Sequence, residues 1–117
     1  MDIKWKSVEN IEEYVKKTLA EEAHDIPQLE IDASPWVLAE IEVSKIHTDR
    51  QMIADHNNDP LHIARKDHFK DIIKKGKELL PLIVLGKNLY LVDGYARFQA
   101  LRDLGISKIQ VFKQGIG

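Results

Sequence analysis

The sequence predicts an α+β fold in which a small mixed sheet is flanked by helices. Two short apolar runs, at 82–85 and 89–92, are separated by three residues of turn chemistry, which is typical of an antiparallel hairpin. Helical spacing follows over 95–104, and a strand-like alternation follows at 108–111. An earlier alternating segment at 36–43 adds a further strand, so strands and helices are mixed along the chain.

The composition is typical of one compact domain without disulfides. The chain has 117 residues, of which 44% are hydrophobic and 31% charged, and it has no cysteine. This length is sufficient for one hydrophobic core. The absence of cysteine excludes disulfides, thiolate metal sites and cysteine catalysis. No apolar segment approaches membrane-spanning length and the N-terminus is highly charged, so we expect a cytoplasmic protein without membrane contact.

Charge is distributed unevenly along the chain. Residues 1–61 carry 6 Lys and Arg against 14 Asp and Glu, whereas residues 62–117 carry 11 against 5. The net charges of −8 and +6 add to the total of −2. One interpretation is that the basic half binds an anionic ligand. The alternative is that the two oppositely charged halves attract each other within one fold. A dedicated DNA-binding domain would be far more basic, so nucleic acid is a weaker expectation than a nucleotide.

The first part of the chain predicts a helix of limited burial. Ser7 is a suitable cap for a helix over 8–24, on which Ile11, Val15 and Leu19 recur every four residues. Such a narrow stripe buries little by itself. The helix therefore either packs on its own domain or forms a homo-oligomer with a second copy of the chain.

Domain boundaries follow from the segment after this helix. Residues 25–35 contain two prolines and mixed polarity, which predicts a connector. We therefore expect residues 1–35 to form the helix and connector, and residues 36–117 to form the folded domain.

The middle of the chain predicts a strand, a loop and a helix. Residues 36–43 form the strand, and the polar residues 44–58 are interpreted as a loop without structure of its own. Five residues of this loop can bind a ligand or titrate: His47, Asp49, Arg50, Asp55 and His56. Asp59 and Pro60 are typical of a helix start, and Gly76 ends the helix predicted over 61–75.

The C-terminal third predicts a strand-strand-helix-strand unit. The two apolar runs of the hairpin do not alternate, so both faces of the sheet are covered there and we expect the hairpin to be central. Asp93 lies where the following helix needs an N-cap, and Gly105 lies where that helix ends in the left-handed conformation.

The segment Asp93-Gly94-Tyr95-Ala96-Arg97 is the main candidate for chemistry. A helix start points backbone N–H groups and a partial positive charge outward, and glycine lets a phosphate approach the backbone. Arg97 adds a guanidinium one turn later, and Mg²⁺ held by Asp93 and the phosphate is the metal ion we expect. The alternative is that Asp93 is only a cap, Gly94 a turn residue and Arg97 a solvated side chain.

The succession PLIVLG, LYLVDGYARFQAL and LGISKIQVF resembles the core of the ParB/sulfiredoxin-like superfamily, over roughly residues 40–112. In that superfamily a strand runs into a glycine- and arginine-containing helix start, and a final strand follows the helix. The sulfiredoxin branch depends on a cysteine in this helix start, so the resemblance is to a ParB-like N-terminal domain. It implies that Gly94 and Arg97 bind the phosphates of a nucleotide such as ATP or CTP.

The segment at residues 93–97 also differs from the corresponding motifs of the superfamily. ParB proteins that bind CTP usually carry two adjacent arginines after the glycine, whereas Ala96 precedes Arg97 here. The amino-acid kinases of the superfamily read D-G-H-H-R, and Tyr95 and Ala96 replace both histidines. Their catalytic carboxylate aligns with Arg50, so Asp49 is a candidate base only after a shift of one residue.

These observations leave three classes of function. We expect a nucleotide-binding ParB-like module, regulatory or DNA-associated. One alternative is an enzyme, either a small phosphotransferase with Asp93 and Asp49 as catalytic candidates or a ParB-like nuclease. The other alternative is an interaction domain that has lost its ligand.

Overall fold

The computed structural model describes residues 3–22, 26–32 and 34–115, which form a four-stranded sheet with helices. The helices are α1 (Ile11–Glu22), α2 (Gln28–Ile31), α3 (Arg50–Asn58), α4 (Pro60–Lys74) and α5 (Tyr95–Asp103). The strands are β1 (Trp36–Glu42), β2 (Leu82–Leu85), β3 (Tyr90–Asp93) and β4 (Lys108–Gln114). The predicted α+β class is therefore confirmed. No helix in the described ranges is both long and apolar enough to cross a bilayer.

The sheet is mixed and has the strand order β1-β4-β2-β3. Strand β4 is antiparallel to β1 and parallel to β2, and the predicted hairpin of β2 and β3 is antiparallel. The hairpin is not central as a whole, because β3 lies at an edge. Leu82, Ile83 and Val84 are fully buried in β2, whereas Tyr90 of β3 is exposed and Leu89 belongs to the turn with a φ of 54°.

Helices cover both faces of the sheet. On one face, α4 and α5 pack over the larger apolar cluster, which includes Leu82, Leu101 and Val111. On the other face, Val15 and Leu19 of α1 are completely buried in a second cluster. The narrow stripe of α1 is therefore covered by its own chain, and the argument for a homo-oligomer through this helix loses its basis.

Helix α1 begins later than predicted. Asn10 caps it, because the Glu13 N–H donates to Asn10 Oδ1 at 3.1 Å. The segment before Asn10 is extended instead, and the Lys6 N–H donates to the Leu79 carbonyl at 2.9 Å. The predicted cap Ser7 therefore lies before the helix. The predicted helix end at residue 24 lies outside the described residues.

The predicted loop at 44–58 is mostly helical, which corrects the sequence interpretation. Asp49 caps α3, since its carboxylate accepts from the Gln51 and Met52 N–H groups at 2.8 and 3.3 Å. Asp59 caps α4 in the same way, as predicted, accepting from the Leu61 N–H at 2.9 Å. Two capped helices follow one another, and the polarity of α3 concealed the first.

An ion-pair cluster joins α4 to α5. Lys66 Nζ and Lys70 Nζ lie 3.2 and 3.0 Å from Asp103 Oδ2. Burial by itself would raise the pKa of Asp103, but hydrogen bonds from Lys70 and Lys66 outweigh it and lower the pKa from its ordinary value of 3.8. A lowered folded-state pKa contributes stability above the unfolded pKa, and this contribution is lost as the pH falls through the folded value.

We expect Asp103→Asn to lower the free energy of unfolding at pH 7 by less than about 1 kcal/mol, because the pair is about a third exposed. The difference from the wild type should shrink as the pH falls below 4. Urea unfolding between pH 7 and pH 3 measures it. Asp67→Asn is the control, since Asp67 is exposed on α4 and has no ion pair in the described part of the chain. An Asp103→Asn effect of equal size at both pH values would contradict this assignment.

Candidate functional site

A cavity of about 250 Å³ opens at the N-terminus of α5. Its walls come from α3, α4, the end of β3 and the start of α5. The lining residues are Met52, His62, Arg65, Phe69, Val92, Asp93, Gly94, Tyr95, Ala96 and Arg97. The structure therefore brings all five residues of the predicted motif to one cavity.

Gly94 starts α5, in a left-handed conformation with φ 98° and ψ 31°. Its carbonyl accepts the first helical hydrogen bond, from the Phe98 N–H at 2.8 Å. The backbone N–H groups of the first helical turn have no acceptor within a helix, and the helix dipole places a partial positive charge there. The cavity therefore lies at an end of α5 that favours an anion.

Asp93 is not the cap of α5, which corrects the sequence prediction. It is the last residue of β3, and the cap residue Gly94 makes no side-chain hydrogen bond. The Asp93 carboxylate instead accepts from Arg97 Nη2 at 2.8 Å. The left-handed glycine turns the chain directly from the strand into the helix and leaves Asp93 facing the first turn.

Arg97 is buried, with only 8% of its surface exposed. Its Nη1 donates to the carbonyls of Leu80 and Pro81 at 2.7 and 3.1 Å, and its Nη2 donates to Asp93. The guanidinium therefore ties the segment before β2 to the start of α5. It is neither solvated nor available as an open fork, so both sequence interpretations of Arg97 missed these contacts.

Gly94 is required by packing as well as by its backbone conformation. A Cβ atom at this position would lie 2.9 Å from Leu82 Cγ and 3.0 Å from Arg97 Nη2. Real Cβ atoms essentially never lie within 3.0 Å of another heavy atom, so the contact with Leu82 would force a shift. The missing side chain makes room for Leu82 and the guanidinium, whereas the sequence interpretation reserved this space for a phosphate.

Tyr95 connects the cavity to α3. Its hydroxyl accepts from the Asp49 N–H at 3.2 Å, and burial raises the pKa of this hydroxyl above its ordinary value of 10.0. Tyr95 therefore stays protonated at neutral pH. The neighbouring Ala96 is buried and contributes no side-chain polar group to the cavity.

Neither catalytic candidate is poised as a general base in this arrangement. The Asp49 carboxylate caps α3, and the Asp93 carboxylate pairs with Arg97. A general base must reach the proton that it removes and accept it. Among the described residues, no three His, Asp or Glu side chains are grouped closely enough to hold a metal ion. Asp93 remains the single carboxylate in the cavity lining that a phosphate-bound Mg²⁺ could reach.

The site predicted from the sequence did not include His62 and Arg65 of α4, which also line the cavity. Arg65 lies three residues after His62 and Phe69 lies seven residues after His62, so the three side chains share one face of the helix and line the same cavity. Arg65 is exposed and has no ion pair or hydrogen bond within the described ranges. His62 Nε2 lies 3.9 Å from Asp59 Oδ2. The i, i+3 and i+7 spacing from His62 was the signal that would have identified both residues.

The solvent-accessible wall of the cavity carries a net positive charge. Asp93 is the one carboxylate among the lining residues, and Arg97 neutralises it. Arg65 and the start of α5 contribute positive charge that no lining carboxylate offsets. Met52 and Phe69 supply an apolar wall. Such a cavity can accept an anion that carries an organic group.

Comparisons with known proteins identify the fold. No protein-family model matches the sequence, and no curated protein is detectably similar to it. The solved C2221 form of a Pnob8-like ParB-N domain is similar, with a TM-score of 0.54 and 17% identity over 71% of this chain and 31% of that one. A second structure of the pNOB8-like ParB N-domain has a TM-score of 0.51 and 20% identity, over 68% of this chain and 27% of that one.

A third similar structure is sulfiredoxin from Arabidopsis thaliana. It has a TM-score of 0.51 and 20% identity, over 67% of this chain and 84% of the sulfiredoxin chain. The present chain therefore spans less than a third of the two ParB-N chains but most of sulfiredoxin. Its mixed sheet, flanking helices and these likenesses show that the chain has a ParB/sulfiredoxin-like fold.

Proposed function

We propose that the cavity at the start of α5 binds the phosphate end of a nucleotide such as ATP or CTP. The observation that carries the proposal is the coincidence of a helix N-terminus and the exposed guanidinium of Arg65 on one cavity. Backbone N–H groups at a helix start bind phosphate oxygens, and an arginine adds charge-assisted hydrogen bonds. The ParB-like fold supports a regulatory or DNA-associated setting for this binding.

The residues of the motif take different roles in this proposal. The first turn of α5 supplies backbone donors, and Arg65 supplies the accessible cation. Arg97 lines the cavity, but it has a positioning role, because its guanidinium is bonded to Asp93 and to the chain before β2. Gly94 sets the direction of the helix start. Mg²⁺ would bind between the phosphates and Asp93, since one or two carboxylates suffice when phosphates supply the other oxygens.

The size of the cavity limits how a nucleotide fits. Pockets that enclose a drug-sized ligand usually have roughly 300–1,000 Å³. The cavity of about 250 Å³ is smaller, so the phosphates would lie inside and the nucleoside would extend over the rim. Met52 and Phe69 would form the apolar surface nearest to the nucleoside.

Binding fits this geometry better than phosphotransfer. Phosphotransfer through Asp93 would require its carboxylate to leave Arg97, and transfer through Asp49 would uncap α3. Binding requires neither change. We therefore propose a nucleotide-binding module, with the phosphotransferase alternative dependent on a rearrangement of these two carboxylates.

We expect Arg65→Ala to weaken nucleotide binding about tenfold. This corresponds to about 1.5 kcal/mol, the lower end of the range for a hydrogen bond to a charged group, because Arg65 is exposed. Stability should not change, since Arg65 has no partner within the described ranges. Titration calorimetry with ATP, CTP and pyrophosphate, with and without Mg²⁺, measures the effect.

Arg102→Ala is the matched control for this experiment. Arg102 is also an exposed arginine of the α4–α5 region, but it lies in the last turn of α5, at the opposite end of the helix from the cavity. Its replacement should leave the Kd unchanged. The proposal is wrong if the wild-type protein binds none of these ligands, or if both variants bind them equally well.

A further inference from the structure

Strand β1 leaves one edge of the sheet open. It pairs with β4 on one side, and no strand of the described ranges lies on its other side. The opposite edge differs, because His47 covers β3: the His47 N–H donates to the Leu89 carbonyl and the Leu91 N–H donates to the His47 carbonyl. An uncovered edge presents unpaired N–H and C=O groups to another chain.

The open edge also carries exposed apolar side chains. Val37 and Leu38 are 41% and 48% exposed. Successive residues of a strand point to opposite faces, so one apolar side chain is accessible on each face of the sheet. A neighbouring strand at this edge would therefore cover apolar surface on both faces.

Backbone hydrogen bonds at the two ends of the β1–β4 pair show which backbone groups of β1 face outward. The Gly115 N–H donates to the Pro35 carbonyl and the Val43 N–H donates to the Ser107 carbonyl, so odd-numbered residues of β1 face β4. Even-numbered residues face the open edge. The Trp36 N–H is already held there by the Glu12 carboxylate, which leaves Leu38, Glu40 and Glu42 with outward backbone groups.

We propose that β1 pairs antiparallel with β1 of a second copy of this chain, about a two-fold axis through Ala39. This goes beyond the proposed nucleotide binding and does not depend on it. The axis at Ala39 gives the longest overlap, because residues 37–41 of the two copies pair fully and Trp36, its N–H still held by Glu12, stands opposite Glu42 of the other copy. The result is a continuous eight-stranded sheet.

The register is self-complementary in its backbone and its side chains. Leu38 and Glu40 of opposite copies exchange both backbone hydrogen bonds, which gives four bonds around the axis. Val37 packs against Ile41 of the other copy, and Ala39 meets Ala39. No two glutamates stand directly opposite. A two-fold axis at Glu40 would place the Glu40 side chains of the two copies directly opposite each other. An axis at Leu38 would pair only residues 36–40 of the two copies.

The two copies of Glu40 stand diagonally across this axis. A diagonal separation is about 7–8 Å, so their repulsion is moderate and screened by salt. Association should therefore strengthen as the ionic strength rises. Glu40→Gln should strengthen it by about two- to fivefold, because a cross-strand charge pair contributes little more than this.

Single cysteines test the register, because the natural chain has none. At an axis through Ala39 the two Cα atoms lie about 4.5 Å apart, within the range that a disulfide spans. We expect Ala39→Cys to form a disulfide dimer with diamide at least about tenfold faster than Asn88→Cys, which reports random collisions from an exposed turn. Non-reducing gels with light scattering measure the rates and masses.

A mixed pair provides the second measurement. Val37→Cys and Ile41→Cys should cross-link rapidly when mixed, whereas each alone should react no faster than Asn88→Cys. Cross-linking of Leu38→Cys in preference to Ala39→Cys would overturn the register. Equal rates for Ala39→Cys and Asn88→Cys, with a mass of 13.5 kDa for the wild type at every concentration, would overturn the pairing itself.

Discussion

Replacement of Arg97 by methionine should lower the free energy of unfolding by about 3–5 kcal/mol, the usual cost of removing one partner from a buried ion pair. The side chains of Arg97 and Asp93 are only 10% and 17% exposed, so the substitution would leave the Asp93 carboxylate largely buried without its partner. The carbonyls of Leu80 and Pro81 would also lose their donor. Urea denaturation followed by circular dichroism measures the loss.

Three further variants distinguish the contribution of the buried ion pair to stability from general effects of substitutions in α5. Arg102→Met changes the same residue type on the same helix, but Arg102 is exposed over the ring of Phe98, so the loss should stay below about 1 kcal/mol. Arg97→Lys keeps the charge and loses the planar fork, so it should fall between the two. Adding Asp93→Asn to Arg97→Met removes the stranded charge and should recover part of the loss. A loss below about 1 kcal/mol for Arg97→Met would contradict the structural role.

This role changes how binding experiments on the motif are interpreted. A protein with a total stability of about 5–15 kcal/mol can lose much of its folded population when Arg97 is replaced. Loss of nucleotide binding by an Arg97 variant would then report unfolding as well as any contact with phosphate. Arg65 is the informative residue, because it lines the same cavity and has no partner within the described ranges.

The parts of the fold that sequence predicted correctly carry local signals. Asp59 and Pro60 mark the start of α4, and Gly105 ends α5 with a φ of 76°. The hairpin follows from two apolar runs around a short turn. Each of these signals acts within a few residues of the chain, so the chain itself is sufficient to locate it.

The errors arise where distant residues decide the outcome. Leu79 holds the Lys6 backbone in an extended segment, which leaves Asn10 and not Ser7 to cap α1. Strand order is also a long-range property, because β4 inserts between β1 and β2 and leaves β3 at an edge. No local pattern around the hairpin distinguishes these positions.

The sequence located the motif at a strand-to-helix turn but did not indicate its side-chain contacts. The motif does line one cavity, as the strand-glycine-helix pattern indicated. Besides Asp93, the partners of Arg97 are the carbonyls of Leu80 and Pro81, which lie 17 and 16 residues earlier and carry no sequence signature. A backbone carbonyl is present at every residue, so only the folded arrangement shows which ones receive the guanidinium.

Gly94→Ala should lower the free energy of unfolding by about 2–5 kcal/mol. The left-handed region costs a residue with a Cβ roughly 1–2 kcal/mol, and a forced contact in a packed region adds roughly 1–3 kcal/mol. Both apply here, because φ is 98° and the added Cβ would lie 2.9 Å from Leu82 Cγ. Leu82 is fully buried and cannot move away freely.

Gly105→Ala and Gly86→Ala isolate the steric part of this cost. Both glycines have positive φ values, 76° and 73°, but a Cβ at either position would meet nothing within 4 Å. They should therefore lose only the conformational part, about 1–2 kcal/mol. In urea unfolding, Gly94→Ala should exceed both controls by at least about 1 kcal/mol. If the three variants lose equal stability, Leu82 and Arg97 yield to the added methyl group, and the close approach at Gly94 is not what requires glycine there.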